Sequence, residues 1–432
     1  MPCFWSANVR KGRRMTSPPR DTPAPEPCGG LSRTRLVCFF CGVERPTDLH
    51  PVCRACGGTM IARTLWPGCL PAGRCFWDFA DLLPVANHRV SLGEGGTPLL
   101  KLRRLFPDDA VYAKAEWTNA TGSFKDRGSA VAVSAALSLG AEGVICASTG
   151  NNAASVSAFA ARAGLPCIVA LPKGTPANKI TQAKAHGAIV LEVPGDFSDA
   201  YREAARIQGA VAGWANLTST YLNPYMTAAH ATIFYELHAE LGEVGTVIVP
   251  IGAGPMLDGI MQGARTLHEQ GYLKRLPLPI GVQGVGCAPI ADAFARGEDV
   301  VTAWPAPVQG MAGSINDPLR GYPDDGTRTL RILRSANGRA VAVSDSQIRR
   351  AMRDLGRHEG IAAEPAAATP LAAWRDLAAA DLPRPIVLVI SGHALKDPTA
   401  QPTAAAQSLD IDAGATPAAV VAAAMRQFAL KS

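Results

Sequence analysis

The chain has 432 residues, of which 47% are hydrophobic and 18% charged, and its formal net charge is +6. This length exceeds what a single hydrophobic core usually supports, and the composition excludes a disordered chain, so we expect at least two globular domains. The sequence has no run of about 18 apolar residues and no basic stripe interleaved with aromatic residues. We therefore expect neither a membrane partner nor a nucleic-acid partner.

The N-terminal segment, residues 1–35, is rich in Pro, Arg, Ser and Gly and has no apolar periodicity. This composition predicts a disordered tail. The segment also lacks the apolar stretch of a secretory signal, which predicts a cytoplasmic protein. In that compartment the eleven cysteines are expected to be reduced thiols or metal ligands.

Two CxxC pairs follow within residues 36–62. Cys38 and Cys41 form the first pair, and Cys53 and Cys56 form the second. Four thiolates at this spacing can enclose a tetrahedral zinc ion and leave no coordination position open for chemistry. The pattern predicts a small zinc-ribbon-like segment with a structural metal. The competing interpretation is that two such pairs arise by chance.

Lys125 is predicted to lie where a strand gives way to a helix. Residues 113–117 alternate like a half-buried strand, and residues 129–137 are small and apolar like a buried helix. Burial and the positive end of a helix both disfavour the charged form of an amine, which suits a nucleophile. Taken alone, this segment leaves open a solvated lysine that caps a surface turn.

Beyond Lys125 the sequence alternates between apolar strands and helices. The predicted strands are 143–147, 166–171, 188–193, 246–250 and 385–390, and the predicted helices include 153–163, 179–186 and 257–262. Continuously apolar strands separated by helices are typical of parallel sheets that are covered on both faces. The sequence therefore predicts an α/β fold with two three-layer domains and parallel-rich sheets.

Five further motifs accompany the segment Thr121–Gly128. They occupy residues 91–99 (SLGEGGTPL), 147–153 (ASTGNNA), 249–255 (VPIGAGP), 359–366 (EGIAAEPA) and 391–398 (SGHALKDP). In this order the set resembles threonine synthase and its relatives, the fold-type-II enzymes that carry pyridoxal phosphate (PLP). Each motif alone is weak evidence, whereas the ordered set is specific and extends from about residue 36 to 398. Some of these enzymes carry a similar ribbon before the catalytic body.

The resemblance implies that PLP lies in a cleft between the two domains. Lys125 is the implied catalytic residue: it forms a Schiff base with the cofactor and then moves protons at the substrate's α and β carbons. Asn151 is implied at the ring oxygen of the cofactor and Ser391 at its ring nitrogen. The implied phosphate loop comprises Gly252, Ala253, Gly254, Pro255 and Met256. Backbone N–H groups at a helix start form a natural phosphate site, although proline lacks one such donor.

The resemblance also implies the substrate, the assembly and the domain limits. The substrate is a small amino acid, and its implied contacts are Ser123, Ser148, Thr149, Asn151, Asn152 and Asn223. An ordinary helix N-cap is the alternative for residues 148–152. The implied assembly is a homodimer. Residues 63–127 and 237–400 form the large cofactor domain, residues 128–236 form a small mobile domain, and residues 401–432 form a tail with a short helix at 417–428.

Four positions depart from the pattern of threonine synthases: Asn152 replaces a usual Thr and Ala120 a usual Pro. The other two concern the substrate's phosphate, near which these enzymes place Arg after Asn-Pro and a Lys slightly later. Met226 stands at the Arg position and Ala231 at the Lys position. A lost bidentate contact with phosphate costs about 1.5–3 kcal/mol. We therefore expect elimination or replacement at the β or γ carbon of an amino acid, with a substrate other than O-phosphohomoserine as one outcome. The alternatives are authentic threonine synthase, a cysteate synthase-like β-replacement, a serine or threonine dehydratase, and a PLP-binding relative without activity.

Overall fold

A computed structural model describes residues 31–85, 88–377, 381–401 and 416–429. The strands in this part of the chain are β1 Thr34–Cys38, β2 Glu44–Pro46, β3 Met60–Thr64, β4 Leu99–Lys101, β5 Val111–Lys114, β6 Gly143–Ala147, β7 Cys167–Pro172, β8 Ile189–Val193, β9 Trp214–Asn216, β10 Thr246–Pro250, β11 Leu278–Gly284, β12 Arg339–Val343 and β13 Ile386–Val389. The helices are α1 Lys125–Ser138, α2 Asn151–Ala163, α3 Ala177–Ala185, α4 Phe197–Ala210, α5 Pro224–Ala229, α6 Ala231–Leu241, α7 Pro255–Glu269, α8 Pro289–Ala295, α9 Pro323–Ser335, α10 Asp345–Glu359, α11 Pro365–Leu377 and α12 Pro417–Ala429.

The ribbon is an antiparallel sheet with the strand order β2-β1-β3. It begins earlier than predicted, because β1 starts at Thr34 and pairs with β3. Leu31 is buried, and its N–H donates to the Val85 carbonyl at 2.8 Å. The prediction of a disordered tail is therefore wrong for residues 31–35, while residues 1–30 lie outside the described residues.

The smaller α/β unit is built on a parallel sheet with the order β8-β7-β6-β9. Successive side chains of a strand point to opposite faces, so β6 contributes to two clusters. Val144 and Cys146 pack with α1 and α2, whereas Ile145 and Ala147 pack with α4. Both faces are covered, as the continuously apolar sequence predicts.

The larger unit contains a six-stranded sheet with the order β12-β11-β10-β13-β5-β4. The ladders are parallel except for β4, which pairs antiparallel with β5 at the edge. Val247 and Val249 of β10 pack with α6 and α7, while Ile248 packs with residues of α10 and α11. The predicted α/β class with parallel-rich sheets is thereby confirmed.

Local bounds differ from the prediction around Lys125. The strand before it covers only Val111–Lys114, and Glu116–Thr118 forms a 3-10 turn that is closed by the Thr118 N–H to the Ala115 carbonyl at 3.1 Å. The predicted strand at 113–117 is therefore wrong beyond Lys114. The predicted domain limits at 128 and 236 both fall inside helices, α1 and α6.

Within the four described ranges, no helix is both long enough and apolar enough to cross a membrane.

Candidate active site

A cavity of about 690 Å³ lies where the two parallel sheets end. The segments after β6, β10 and β13 all line it, and these are the carboxyl ends of their strands. Ligands of open α/β sheets bind at such ends. Of the predicted site residues, the lining contains Lys125, Ser148, Thr149, Asn151, Asn152, Ser391 and the loop from Gly252 to Met256.

Lys125 opens α1 and its amino group lies in the cavity. The Nζ atom donates to Ser219 Oγ at 2.8 Å and lies 4.5 Å from the centre of the Phe124 ring. Burial lowers the pKa of Lys125 to about 8, although the carboxylates of Glu364 and Asp317 act in the opposite direction. A neutral amine, and hence a nucleophile, is therefore accessible close to neutral pH.

The loop between β10 and α7 is a cradle of backbone N–H groups. Within the described residues, the N–H groups of Gly252, Ala253 and Gly254 donate to no protein acceptor. Gly254 has φ +110°, and a Cβ there would lie 2.2 Å from Thr329 Oγ1. The same hydroxyl donates to the Ala253 carbonyl at 2.5 Å. Free N–H groups at the start of a 15-residue helix favour an anion such as phosphate.

A second cradle lies at the start of α2, on the smaller unit. Gly150 precedes the helix, and its N–H donates to Ser148 Oγ at 3.2 Å. Asn151 donates from its amide nitrogen to Glu364 Oε1 at 2.9 Å. Asn152 donates from its amide nitrogen to the Leu217 carbonyl at 2.9 Å. The two asparagines are therefore fixed in orientation by partners on different segments.

The free atom of the Asn152 side chain is an acceptor. Its Oδ1 is buried and has no hydrogen-bond partner among the described residues. An acceptor repels a carboxylate or phosphate oxygen but receives a hydrogen bond from a hydroxyl, an amine or water. Any contact between this residue and a substrate carboxylate would therefore use its backbone N–H.

Two predicted substrate contacts do not line the cavity. Ser123 is fully buried, and its hydroxyl has no partner among the described residues. Asn223 is the N-cap of α5: its Oδ1 accepts from the Met226 N–H at 3.0 Å, and its amide nitrogen donates to the Asn216 carbonyl at 3.0 Å. These bonds give Asn223 a structural role in holding the helix start.

Met226, at the position of the family's arginine, also lies away from the cavity. It is buried in the same cluster as residues of α1, and a Cβ on Gly128 would lie 3.3 Å from the Met226 Cβ. A neutral side chain suits this apolar surrounding, because an unpaired guanidinium would be costly to bury there.

Two acids of the cavity, the buried Glu364 and the half-buried Asp317, were not assigned from the sequence. Glu364 precedes α11 and accepts from Ser314 Oγ at 3.0 Å as well as from Asn151. Asp317 accepts from the Leu319 N–H at 3.1 Å and from the Tyr322 hydroxyl at 2.9 Å. Burial raises the pKa of both carboxyl groups. Glu364 belongs to the motif at 359–366, and this membership is the feature of the sequence that could have assigned it to the site.

Cationic side chains line the cavity on the side of α3. Lys179 of α3 has no hydrogen-bond or acidic partner among the described residues, and its Nζ lies 3.4 Å from the site of a Cβ on Gly313. Lys396 donates to the Thr121 carbonyl at 3.0 Å and to Gln182 Oε1 at 2.5 Å. An anionic group on a ligand would find a free ammonium at Lys179.

His230 lies near Lys125, at the junction between α5 and α6. Its ring centre is 5.2 Å from that of Phe124, and neither ring nitrogen has a partner within the described chain. Burial and the nearby Lys125 lower the pKa of His230 to about 3. The ring is therefore neutral at ordinary pH and adds no positive charge beside the lysine.

A buried charge network holds the start of α1. The Arg127 guanidinium donates to Glu116 Oε1 at 2.8 Å and to Glu236 Oε1 at 2.5 Å. Lys114 Nζ pairs with Glu236 Oε2 at 2.7 Å. All four side chains are at most 2% exposed. Because these charges are mutually paired, they fix the first turn of α1, which contains Lys125, relative to β5 and α6.

The four predicted metal ligands come together in the ribbon. The Sγ atoms of Cys38, Cys41, Cys53 and Cys56 all lie within 4.8 Å of one another. Three of the S–S distances are 3.5–3.7 Å, close to the roughly 3.8 Å expected around a tetrahedral zinc with Zn–S bonds of about 2.3 Å. The donor set fits zinc with no open position.

Comparison with known proteins decides the family. Residues 90–392 match the family of pyridoxal-phosphate dependent enzymes. The chain belongs to this family. Its relatives include the threonine synthase of Methanosarcina acetivorans, which is 36% identical over 84% of this chain and 92% of the relative. The threonine synthase of Methanocaldococcus jannaschii is also 36% identical, over 78% of this chain and 84% of the relative.

Solved structures of PLP-dependent family members share the fold. The threonine deaminase of T.th. is 28% identical, with a TM-score of 0.58 over 69% of this chain and 92% of that one. Maize serine racemase is 20% identical, with a TM-score of 0.60 over 77% of this chain and 92% of that one, which shows the fold alone. The family cofactor fits the site, because a lysine with a lowered pKa and a free N–H cradle line the same cavity.

Proposed function

We propose that the chain catalyses elimination or replacement at the β or γ carbon of a small amino acid. When bound, PLP supplies an electron sink for negative charge at the substrate's α carbon. The observation that carries the proposal is the position of Lys125, whose amine lies in one cavity with two cradles of N–H groups at helix starts.

The loop from Gly252 to Met256 would hold the cofactor's phosphate, and the start of α2 would hold the substrate's carboxylate. Lys125 would carry the proton to and from the substrate's α and β carbons. The Ser391 hydroxyl would face the ring nitrogen. A hydroxyl cannot keep that nitrogen protonated as a carboxylate would, so the sink is mild and favours elimination and replacement over transamination.

We propose a leaving group other than phosphate as the first candidate. Support comes from Asn152, a cavity-lining residue whose buried Oδ1 has no partner in the described chain, and from Met226, which replaces the family's arginine inside an apolar cluster. The unpaired polar atom of the Asn152 side chain is an acceptor and cannot donate to a phosphate, and the arginine that the family places at position 226 is absent.

Threonine synthase itself is the second candidate. Two observations favour it: the relatives of that name are 36% identical to this chain, and Lys179 offers a free ammonium at the cavity. In this alternative the phosphate of O-phosphohomoserine would be held by lysine on α3.

The test is to follow the visible absorbance of the bound cofactor while adding O-phosphohomoserine, O-phosphoserine, serine and threonine separately, and to assay released phosphate and keto acid. The first candidate predicts a saturable change at lower concentration with serine or threonine than with O-phosphohomoserine. The opposite order, with threonine formed, would establish the second candidate. No change with any of the four compounds would refute both.

We further propose that the unit at residues 128–236 closes over the cavity and excludes water, that the assembly is a homodimer, and that zinc occupies the four-cysteine cluster as a structural ion. Closure predicts a smaller radius of gyration in X-ray scattering when substrate is added. Sedimentation of the purified protein tests the homodimer, and metal analysis tests the zinc ion.

A further inference from the structure

Arg328 connects the ribbon to the helix that begins at the phosphate loop. It lies on α9 and is completely buried. Its charge is paired with Asp258, the fourth residue of α7: Arg328 Nη2 donates to Asp258 Oδ2 at 2.6 Å and Nε to the same oxygen at 3.0 Å. A fully buried ion pair of this kind depends on every remaining donor being satisfied.

The remaining nitrogen of Arg328 is satisfied by the ribbon. Nη1 donates to Thr59 Oγ1 and to the Met60 carbonyl, both at 3.0 Å. The guanidinium also lies 4.9 Å from the ring centre of Phe39. Phe39 stands between the two cysteines of the first CxxC pair, and its N–H donates to the Thr59 carbonyl at 3.0 Å. The acceptors of Arg328 on Thr59 and Met60 therefore belong to the segment that the four-cysteine cluster holds in place.

A second path leads from Arg328 to the loop itself. The guanidinium lies 4.1 Å from the ring centre of Tyr221. The Tyr221 hydroxyl is 2.8 Å from Thr329 Oγ1, which in turn donates to the Ala253 carbonyl at 2.5 Å. The two paths end at Asp258 and at Ala253, so both reach the segment 252–258, which contains the free N–H groups of the cradle.

We propose that Arg328 is a positioning residue through which the metal-loaded ribbon fixes the phosphate loop, so that metal in the ribbon strengthens cofactor binding. Leu36 and Met60 of the ribbon pack in the same cluster as residues of α1 and α5. Phe39 and Thr59 stand next to the cysteine segments, so we expect their arrangement to depend on the ion. When the metal leaves, Arg328 loses the acceptors on Thr59 and Met60 and is left buried with unsatisfied donors. The loop that it supports through Asp258 and Tyr221 then loses its fixed geometry. The inference rests on the proposed role of this loop in holding PLP.

The test compares zinc-loaded and chelator-treated full-length protein. PLP affinity is measured by titration of cofactor-free protein, and exchange of the loop is measured at the hydrogen-bonded amides on its two sides, Ile251 and Asp258. Removal of zinc is expected to weaken PLP binding about tenfold or more, the loss that follows when a hydrogen bond to a charged group is broken. Exchange in the loop should rise even when no PLP is present, so this readout does not depend on the proposed cofactor role.

Two variants assign the effect to Arg328. In Arg328→Lys the zinc dependence of PLP affinity should largely disappear, because a lysine cannot serve Asp258, Thr59 and Met60 together. The matched control is Arg331→Ala on the same helix. Its guanidinium lies 5.5 Å from the Phe40 ring of the ribbon and, within the described part of the chain, forms no hydrogen bond with the loop. If Arg328→Lys does not fold, Thr59→Val removes one ribbon acceptor and should reduce the zinc dependence.

Three results would overturn the proposal. The first is that PLP affinity and loop exchange stay unchanged when zinc is removed from a folded protein. The second is that PLP affinity depends on zinc equally in the wild type and in the folded Arg328 or Thr59 variant, and the third is that this dependence is lost in Arg331→Ala. A zinc-dependent loop exchange with no PLP binding under any condition would support the coupling and refute the proposed cofactor role of the loop.

Discussion

The side-chain amide of Asn151 donates to Glu364 Oε1 at 2.9 Å, which joins the start of α2 to the segment before α11. The two residues belong to units built on different sheets. The resemblance assigns the same amide to the ring oxygen of the cofactor. Glu364 therefore orients a group that PLP would share, and its charge also acts on Lys125.

Replacement of Glu364 by Gln is expected to shift the pH at which Lys125 reacts. Burial lowers the pKa of Lys125 to about 8, and the Glu364 carboxylate opposes that decrease. Without this charge the pKa falls further, so the rate at which cofactor-free protein captures PLP should reach half its maximum below pH 8. The rate is measured from the growth of visible absorbance across neutral and alkaline pH. Glu359→Gln is the control, because the described contacts of the Glu359 carboxylate are with the N–H groups of Arg104 and Leu105, away from Lys125. An unchanged or higher midpoint in Glu364→Gln would contradict this assignment.

Gly254→Ala should weaken cofactor binding. The new Cβ would stand 2.2 Å from Thr329 Oγ1 at a φ of +110°, so the loop has to move. Strain of this kind costs about 1–3 kcal/mol, or on the order of tenfold or more in PLP affinity. Gly271→Ala is the matched control, since Gly271 also has a positive φ of +78° but meets no atom within 4 Å. PLP titration of both variants is the measurement, and equal affinities would show that the loop is not the cradle.

Arg127→Met should destabilise the fold by about 3–5 kcal/mol, because it leaves the buried carboxylates of Glu116 and Glu236 without their partner. Urea unfolding followed by circular dichroism measures the free energy of unfolding. The comparison is Arg206→Ala, which breaks the exposed pair with Glu203 and should have little effect. Equal losses in the two variants would mean that the buried network does not hold α1.

Lys179→Ala tests the cationic side of the cavity. If the substrate carries an anionic leaving group, its KM should rise by about tenfold or more, because one charge-assisted contact is lost. The KM of serine, whose leaving group is neutral, should stay unchanged. Lys173→Ala is the control, since Lys173 is exposed and does not line the cavity. An unchanged KM for O-phosphohomoserine and O-phosphoserine would remove Lys179 from the site.

The alternation of strands and helices was readable from the sequence because it depends on local patterning. Strands β6 and β10 have the predicted bounds, since each is continuously apolar and buried on both faces. The strand before Lys125 was overextended because Glu116 is drawn inward by Arg127, a contact between residues that local alternation does not show. Leu31 was missed for a similar reason: its burial depends on the distant Val85.

The site was predictable where a motif fixes the backbone, and less so where a side chain depends on tertiary neighbours. The phosphate loop and the start of α2 follow strand ends, so their placement followed from the motifs. Ser219 and Asp317 lie in segments without a motif, and only the folded chain brings them to the cavity. Asn223 fits the motif, yet its side chain is taken by the cap of α5.

The most direct test of the central claim is to reduce the PLP-loaded protein with borohydride, digest it, and identify the modified peptide by mass spectrometry. Lys125, Lys179 and Lys396 all line the cavity, so the experiment discriminates among three candidates. We expect the cofactor to be fixed to Lys125 and the Lys125→Ala variant to purify without colour. A label on Lys179 or Lys396, or a coloured and active Lys125→Ala variant, would contradict it.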